Sequence, residues 1–399
     1  MKYEKSNLKQ ITVIRTGKLD SNAAVPNGMY PFFTCDPTTL RINTWAYDTE
    51  AVLLAGNNAS GNYTAKYYKG QFNAYQRTYI IESSDKEKLD VRYLAYAINQ
   101  ELKLLKTMSA GSTTKFLKIG MLHSLEISLP DISIQRKIAS ILGNYDDFIE
   151  NNQKQIKLLE EAAQRLYKEW FVDLHFPGYE DVEIVDGVPE GWKKIPICNF
   201  IEHEIGGGWG DENITQKCTK PAYVIRGTDI YGMNHGDFHY IPFRYHAESN
   251  LKSRILNDGD IVFEVSGGSK NEGVAKTFLL SSQLLEQFSS PIMCASFCKM
   301  IRPKEPFSQY LYDSFQYMRK SGKTTEYDKR SASSIVNYRW KDFLSKEYLL
   351  EPTEDILSRY NAIACSIYSS ITTKSISIEK AKQARDRLLP KLMSGEIEV

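Results

Sequence analysis

From Ile134 onward, apolar residues recur mostly at steps of three and four: Ile134, Ile138, Ile141, Tyr145, Ile149, Ile156, Leu159, Ala163, Leu166 and Trp170, with Asn152 filling the gap in the series. Such a seam is what a long helix presents to one partner helix. Running from Ile134 to about Phe171, it predicts a rod of roughly 55–60 Å at about 1.5 Å per residue. A weaker copy runs from Ile356 to about Met393 through Tyr360, Ile363, Ile367, Ile371, Ile378, Ala381, Leu388 and Leu392. Each seam begins just after a proline, Pro130 or Pro352, which bars the preceding residue from helix and sets a boundary.

The two seams belong to one repeat. Shifted by 222 positions, Ser109 meets Ser331, Ala110 meets Ala332, Ser112 meets Ser334, Leu122 meets Leu344 and Pro130 meets Pro352. The register continues without a gap through Ile134/Ile356, Ile141/Ile363, Ile149/Ile371, Ile156/Ile378, Arg165/Arg387 and Leu166/Leu388. Matched apolar spacing over such a length predicts a duplicated unit. Upstream of each seam lies a mixed stretch. Residues 1–130 alternate strand-like runs ("AVLLAG", "RTYIIE") with aromatic-rich turns, and "DVRYLAYAINQELKLLK" (90–106) has a helical face. Residues 189–351 repeat the style, "GDIVFEVSGG" answering "EAVLLAGNNASG" and "SQYLYDSFQYMRK" answering the 90–106 helix.

The expected fold is therefore α+β. Two mixed globules, 1–130 and 176–351 (the latter opening with a turn-rich linker, 176–188), alternate with spacer helices at 131–175 and 352–399. Two long seams in one chain satisfy each other as an antiparallel pair, giving a pseudo-twofold molecule with a globule at each end of the rod.

Composition narrows the chemistry. A chain of 399 residues exceeds one ordinary core, and 42% hydrophobic with 25% charged residues is a normal globular balance. No apolar run is long enough to span a membrane and the start "MKYEKSNLKQ" is polar, so a cytoplasmic protein is expected. The six cysteines form no C-x-x-C pair, which points to reduced thiols. A net charge of +1 gives no overall footprint for nucleic acid, but Lys299–Asp342 carries ten Lys/Arg against five Asp/Glu.

Catalytic patterns fail on inspection. Gly322-Lys323-Thr324 resembles the end of a phosphate loop, but the first glycine of that loop would be Tyr317, and a helical pattern precedes it instead of a strand. "IGGGWG" (205–210) lacks strand–turn–helix context and reads as a loop permitting close backbone approach. No two prolines are adjacent, which excludes the Asn/Asp-Pro-Pro-aromatic loop of adenine methyltransferases. Asp90, Glu101 and Lys103 mimic a nuclease triplet, but Glu101 and Lys103 point about 200° apart on a helix at about 100° per residue. His235, His239 and His246 have loose metal-like spacing without further ligands, and Cys294 and Cys298 sit in an apolar run that reads as core.

Binding chemistry is better represented. "GNNASGNYTAKYYKGQFNAYQRTY" (56–79) interleaves amides and cations with aromatic rings, and "VSGGSKNEG" (265–273) and "YDKRSASS" (327–334) are polar loops of the second globule. Amides match adenine, guanidinium matches guanine, and lysines hold phosphates. Two unlike readers on a rigid spacer suit a DNA target split into two halves.

These residues resemble the specificity subunit of type I restriction-modification systems. The likeness lies in "LPDISIQRKIASILGNYDDFIENNQKQIKLLEEAAQRLYKEWF" (129–171), "PEGWKK" (189–194) and "ARDRLLPKLMSGEI" (384–397), with "NGMYPFFTC" (27–35) and "AYQRTYII" (74–81) resembling its target-recognition domains. The first globule lacks the Gly-Trp seen at Gly191-Trp192. The resemblance implies a non-catalytic subunit with two target-recognition domains reading a bipartite site. It implies helices that dock two methyltransferase subunits, and restriction/translocase subunits joining the assembly. No cofactor is expected in this chain; S-adenosylmethionine, ATP and Mg are implied for the partners. Two other readings remain open: a related system whose partner fuses methylation and cleavage, or a helical scaffold that binds no DNA. No base-contacting residue carries over by motif. The candidate DNA contacts are Asn57, Asn58, Lys66, Lys69, Arg77, Ser112, Thr113 and Lys115 in the first globule, and Ser266, Lys270, Asn271, Lys329, Arg330 and Ser331 in the second.

Overall fold

A computed structural model describes residues 3–58, 62–109, 115–238, 240–267, 273–330 and 335–399. The chain divides into two compact units, Met1–Asp147 with Lys382–Val399, and Phe148–Ala381. The fold is α+β, as expected. Both boundaries fall inside the long helices, Ile132–Tyr167 and Glu354–Ser394. The physical reason is that each half of each helix buries its seam in the core of one unit.

Unit 1 is built on a six-stranded sheet in the order Thr12–Thr16, Thr78–Ser83, Tyr47–Ala55, Ala65–Ala74, Tyr30–Phe33, Leu40–Ile42. All pairs are antiparallel except Tyr30–Phe33 with Ala65–Ala74. The central strand ends in a run buried on both faces, from Ala51 to Ala55. Alternation explains how both faces are used: Val52 and Leu54 enter one apolar cluster with Leu94 and Ile98, while Ala51 and Leu53 enter another with Phe33, Tyr47 and Phe72. Helix Val91–Gln100 starts where the Asp90 carboxylate accepts the Tyr93 N–H at 2.8 Å. The single helix expected over 90–106 is in fact two, Val91–Gln100 and Leu102–Met108. Glu101 leaves helical geometry at ψ 4°, and the second segment buries Leu105 while leaving Leu104 exposed.

Residues 132–147 and 382–399 complete this unit. Ile138 and Leu142 share a core with Leu392 and Met393, and the Arg385 guanidinium meets Asp146 at 2.7 Å. The helix start is tied by buried Gln135, which donates to Lys88 and Pro130 carbonyls (2.9 and 2.7 Å) and accepts the Asp90 N–H at 3.0 Å. The N-terminal edge of the globule is also defined: Lys5–Asn7 pairs antiparallel with Glu126–Ser128.

Unit 2 has a four-stranded antiparallel sheet, Ile201–Gly206, Cys298–Pro303, Ile261–Glu264, Thr277–Leu279. A three-stranded sheet, Phe243–His246, Lys220–Ile225, Ile292–Cys294, lies in the same unit. Here the first long helix ends in a π-helical turn, Lys168–Val172, that carries Trp170 and Phe171 into an aromatic core. Phe171 lies 4.8 Å, ring centre to ring centre, from both Tyr310 and Tyr360. Buried Asp313, on helix Ser308–Lys320, accepts hydroxyls of Tyr360 (2.6 Å) and Tyr368 (2.8 Å) from the second long helix. Ile363, placed on the seam by its spacing, is exposed, and neighbouring Ala364 takes the buried position.

The internal repeat reappears as hydrogen-bond register. In unit 1, Val52 to Ala55 pair with Ile81 to Thr78; in unit 2, Ile261 to Glu264 pair with Ile301 to Cys298. Asn57 and Asn58 then pair with Phe116 and Lys115, as Ser266 and Gly267 pair with Asn337 and Val336. A close backbone contact is repeated as well. A Cβ at Gly17 would lie 2.1 Å from the Ala74 carbonyl oxygen, and one at Gly207 would lie 2.2 Å from those of Cys294 and Ala295. The approach expected of the 205–210 loop is therefore made to the unit's own strand end.

Candidate nucleic-acid interface

In unit 1 the sheet's central strand runs on through Gly56 into the short strand Asn57–Asn58. Gly56 donates its N–H to the Arg77 carbonyl at 2.9 Å, and a Cβ there would stand 2.3 Å from that oxygen. The Gly56 carbonyl accepts the Leu117 N–H at 2.8 Å, locking Lys115–Phe116 alongside. The Tyr79 hydroxyl, donating to the Leu117 carbonyl at 2.8 Å, fastens the same point from the core. Three candidates separated by up to 58 positions, Asn57, Asn58 and Lys115, thus share one ladder, and the Arg77 carbonyl is tied to its start through Gly56. Among the described residues the Asn57 Oδ1 has no hydrogen-bond partner. Lys118 lies over the exposed Phe116 ring at 6.0 Å and extends the cationic and aromatic character of this edge.

Lys66 and Lys69 do not join that group. The Lys66 ammonium donates to the Pro37 carbonyl (2.5 Å) and to Thr39 Oγ1 (3.1 Å), fastening the 36–39 loop. Burial pulls its pKa below the ordinary lysine value, with Asp36 opposing. Lys69 is exposed and stands opposite Glu50 in the strand register. Alternation along Ala65–Ala74 puts these two lysines on opposite faces of the sheet, opposite Leu53 and Glu50, which a contiguous reading of 56–79 could not reveal.

The corresponding place in unit 2 is a three-stranded ladder, Ser266–Gly267, Val336–Tyr338, Asp328–Arg330. Asn337 is central: Ser266 Oγ donates to its Oδ1 at 2.9 Å, and Lys329 is its register partner on the other side. The Val265 and Ser266 N–H groups both donate to the Phe297 carbonyl (2.9 and 3.2 Å), and Tyr338 N–H donates to the Val265 carbonyl at 2.9 Å. Lys329 is exposed. Ser112, Thr113, Lys270, Asn271 and Ser331 lie outside the described residues, and Arg330 is described only as the end of its strand. Phe116 and Asn337 were missed by sequence reasoning; the 222-residue shift, which puts Lys115 on Asn337, held the available signal.

Other candidates resolve structurally. Lys323 pairs with Glu326 (2.9 Å) and Glu347 (3.2 Å), and Thr324 is buried, so Gly322-Lys323-Thr324 forms a closed turn. The basic excess over Lys299–Asp342 is partly matched by acids from elsewhere: Lys299 with Glu204 at 2.9 Å and Arg302 with Asp260 at 2.6 Å. His235 faces Glu160 at 3.9 Å, His246 is buried, and His239 lies outside the described residues. Burial lowers the His246 pKa, Asp211 opposing. Among the described residues no group of three or more His, Cys, Asp or Glu is placed to hold a metal ion. Cys294 and Cys298 are buried core thiols.

Known proteins resemble this chain in sequence and in fold. The family model described as "Type I restriction modification DNA specificity domain" matches residues 1–161. The chain is 37% identical over 158 residues to the type I restriction enzyme EcoDI specificity subunit of Escherichia coli, covering 40% of this chain and 34% of that subunit. It is 29% identical over 322 residues to the MjaIX specificity subunit of Methanocaldococcus jannaschii, covering 77% and 69%. The match thus spans about a third of the first relative and about two thirds of the second. In fold, the chain is similar to the S subunit of a type I system from M. genitalium, with TM-score 0.62 and 14% identity over 98% of this chain and 96% of that one.

Proposed function

We infer that the chain belongs to the family of type I restriction-modification specificity subunits and that it reads a two-part DNA target, one part per unit. It performs no bond-breaking step itself. Methyltransferase subunits, two in number and using S-adenosylmethionine, dock on its helices, and restriction/translocase subunits using ATP and Mg join them. The work takes place in the cytoplasm, where the DNA lies. Among the described residues no helix is long and apolar enough to cross a membrane.

One observation carries this reading. A single backbone frame is used twice and bears different polar side chains each time: Asn57, Asn58, Arg77 and Lys115 in unit 1, and Ser266, Asn337 and Lys329 in unit 2. Amides and hydroxyls read base edges, while the cations hold phosphates and set the register. Two unlike sets on one frame fit a target whose halves differ. The test is selection of duplexes from a random pool by the full chain together with the methyltransferase subunits of its system. The expected product is a motif with two specified parts separated by an unspecified gap. Recovery of no motif, or ATP turnover by the chain alone, contradicts the reading.

A further inference from the structure

A cavity of about 530 Å³ in unit 2 opens beside Ser266 and Gly267. Two of its walls are aromatic rings left exposed, Trp209 at 40% and Phe297 at 56%. The carboxylate of Glu264 also lines it, on a residue only 2% exposed, with the Lys276 ammonium 3.8 Å away. The surrounding backbone is shaped around that carboxylate. A Cβ at Gly227 would stand 2.2 Å from Glu264 Oε1, and one at Gly267, where φ is +128°, would stand 3.3 Å from it. Any side chain at 227 would force the acid to move.

Unit 1 shows that the fold itself requires neither the acid nor the ring. In the matching ladder Ala55 faces Thr78 as Glu264 faces Cys298, and Ala55 is buried. The carbonyl that receives the next residue's N–H belongs to Arg77 in unit 1 and to Phe297 in unit 2. Taking a carboxylate out of water is costly where alanine serves the frame equally well. The Lys276 ammonium offsets part of that cost, and an acid in a cavity walled by two exposed rings suits a flat ligand that carries a hydrogen-bond donor.

We propose that the cavity receives one nucleobase swung out of a duplex. The base stacks on Trp209 and Phe297, and its exocyclic amino group donates to Glu264. Stacking on aromatic side chains holds any base, whereas a carboxylate favours the amino-bearing bases cytosine, adenine and guanine over thymine. Glu264 is too deep for a base edge that remains within the stack, so the base must leave it, as bases do for enzymes that modify them. The inference rests on the DNA-reading function above and identifies what unit 2 grips.

The test uses the full chain and the duplex motif selected by wild type, with 2-aminopurine placed in turn at each position of the motif. The expected result is a fluorescence rise at or beside one position of one half-site, lost in Trp209→Ala and Phe297→Ala. Extrusion by a methyltransferase subunit would not respond to those two changes. Glu264→Ala, which gives unit 2 the unit 1 residue, should relax base preference at that position by about tenfold and leave the other half-site unchanged. Glu264→Gln, nearly isosteric, guards against misfolding and should relax the same position. A two-part motif with no responsive position, and no change in Glu264→Ala or Glu264→Gln, overturns the cavity's role while leaving the reading of DNA intact. Failure to select any motif defeats both. Binding of free adenosine or cytidine, abolished by Phe297→Ala, without any 2-aminopurine response also overturns the proposal, because the occupant is then a free nucleoside.

Discussion

Asp313 offers a sharp test of how the second long helix is held in unit 2. Its side chain is fully buried and accepts from Tyr360 (2.6 Å), Tyr368 (2.8 Å) and Gln309 (2.9 Å). Burial raises its pKa from 3.8 to about 6, against the lowering effect of those three donors. Protons are therefore held more tightly in the folded state. The resulting stabilisation is complete below the unfolded value of 3.8 and is lost as pH rises through about 6. At about 1.36 kcal/mol per pH unit, the gap corresponds to about 3 kcal/mol lost between roughly pH 4 and pH 7. Asp313→Asn removes the titrating group and should flatten that part of the profile. The assay is denaturant unfolding of wild type and variant across this range, with hydrogen exchange of residues 354–381 reporting locally. Parallel profiles for the two proteins would refute the assignment.

Three further outcomes follow from geometry. Gly17→Ala and Gly207→Ala each drive a methyl into backbone at 2.1–2.2 Å and should cost about 3 kcal/mol or more, whereas Gly120→Ala, with open space around it, should be neutral in thermal melts. Lys329→Ala with Arg330→Ala should weaken DNA binding across sequences and lower the slope of log affinity against log salt by about 2. Lys66→Ala, whose ammonium is spent on the 36–39 loop, should leave that slope unchanged. Arg385 and Asp146, 2.7 Å apart and partly exposed, should show a coupling of about 0.2–1 kcal/mol in a double-mutant cycle, and a coupling of zero would remove the pair from the account.

The long helices were legible because their seams repeat over many turns, so that a local exception such as Ile363 does not obscure them. The sheets were not. Ala51 to Ala55 is apolar throughout because both faces are covered, and such a run conceals which neighbour each residue meets. The same concealment affects the candidate surface. Asn58 and Lys115, or Asn337 with Ser266 on one side and Lys329 on the other, become neighbours through ladders. Lys66 looked like a phosphate ligand by composition alone, yet strand alternation sends it to a loop. Glu264 ends an apolar strand and Phe297 follows a buried one, so both read as core until the cavity between them is seen.

The central claim is that each unit reads its own half of a DNA target. Methylome sequencing of a host carrying wild type, Asn57→Ala/Asn58→Ala, or Ser266→Ala/Asn337→Ala addresses it most directly. The account predicts that each pair of changes degrades one half of the methylated motif, a different half for each pair, while the other half and the gap stay as in wild type. Loss of both halves together by either pair, or a motif without a gap, would contradict it.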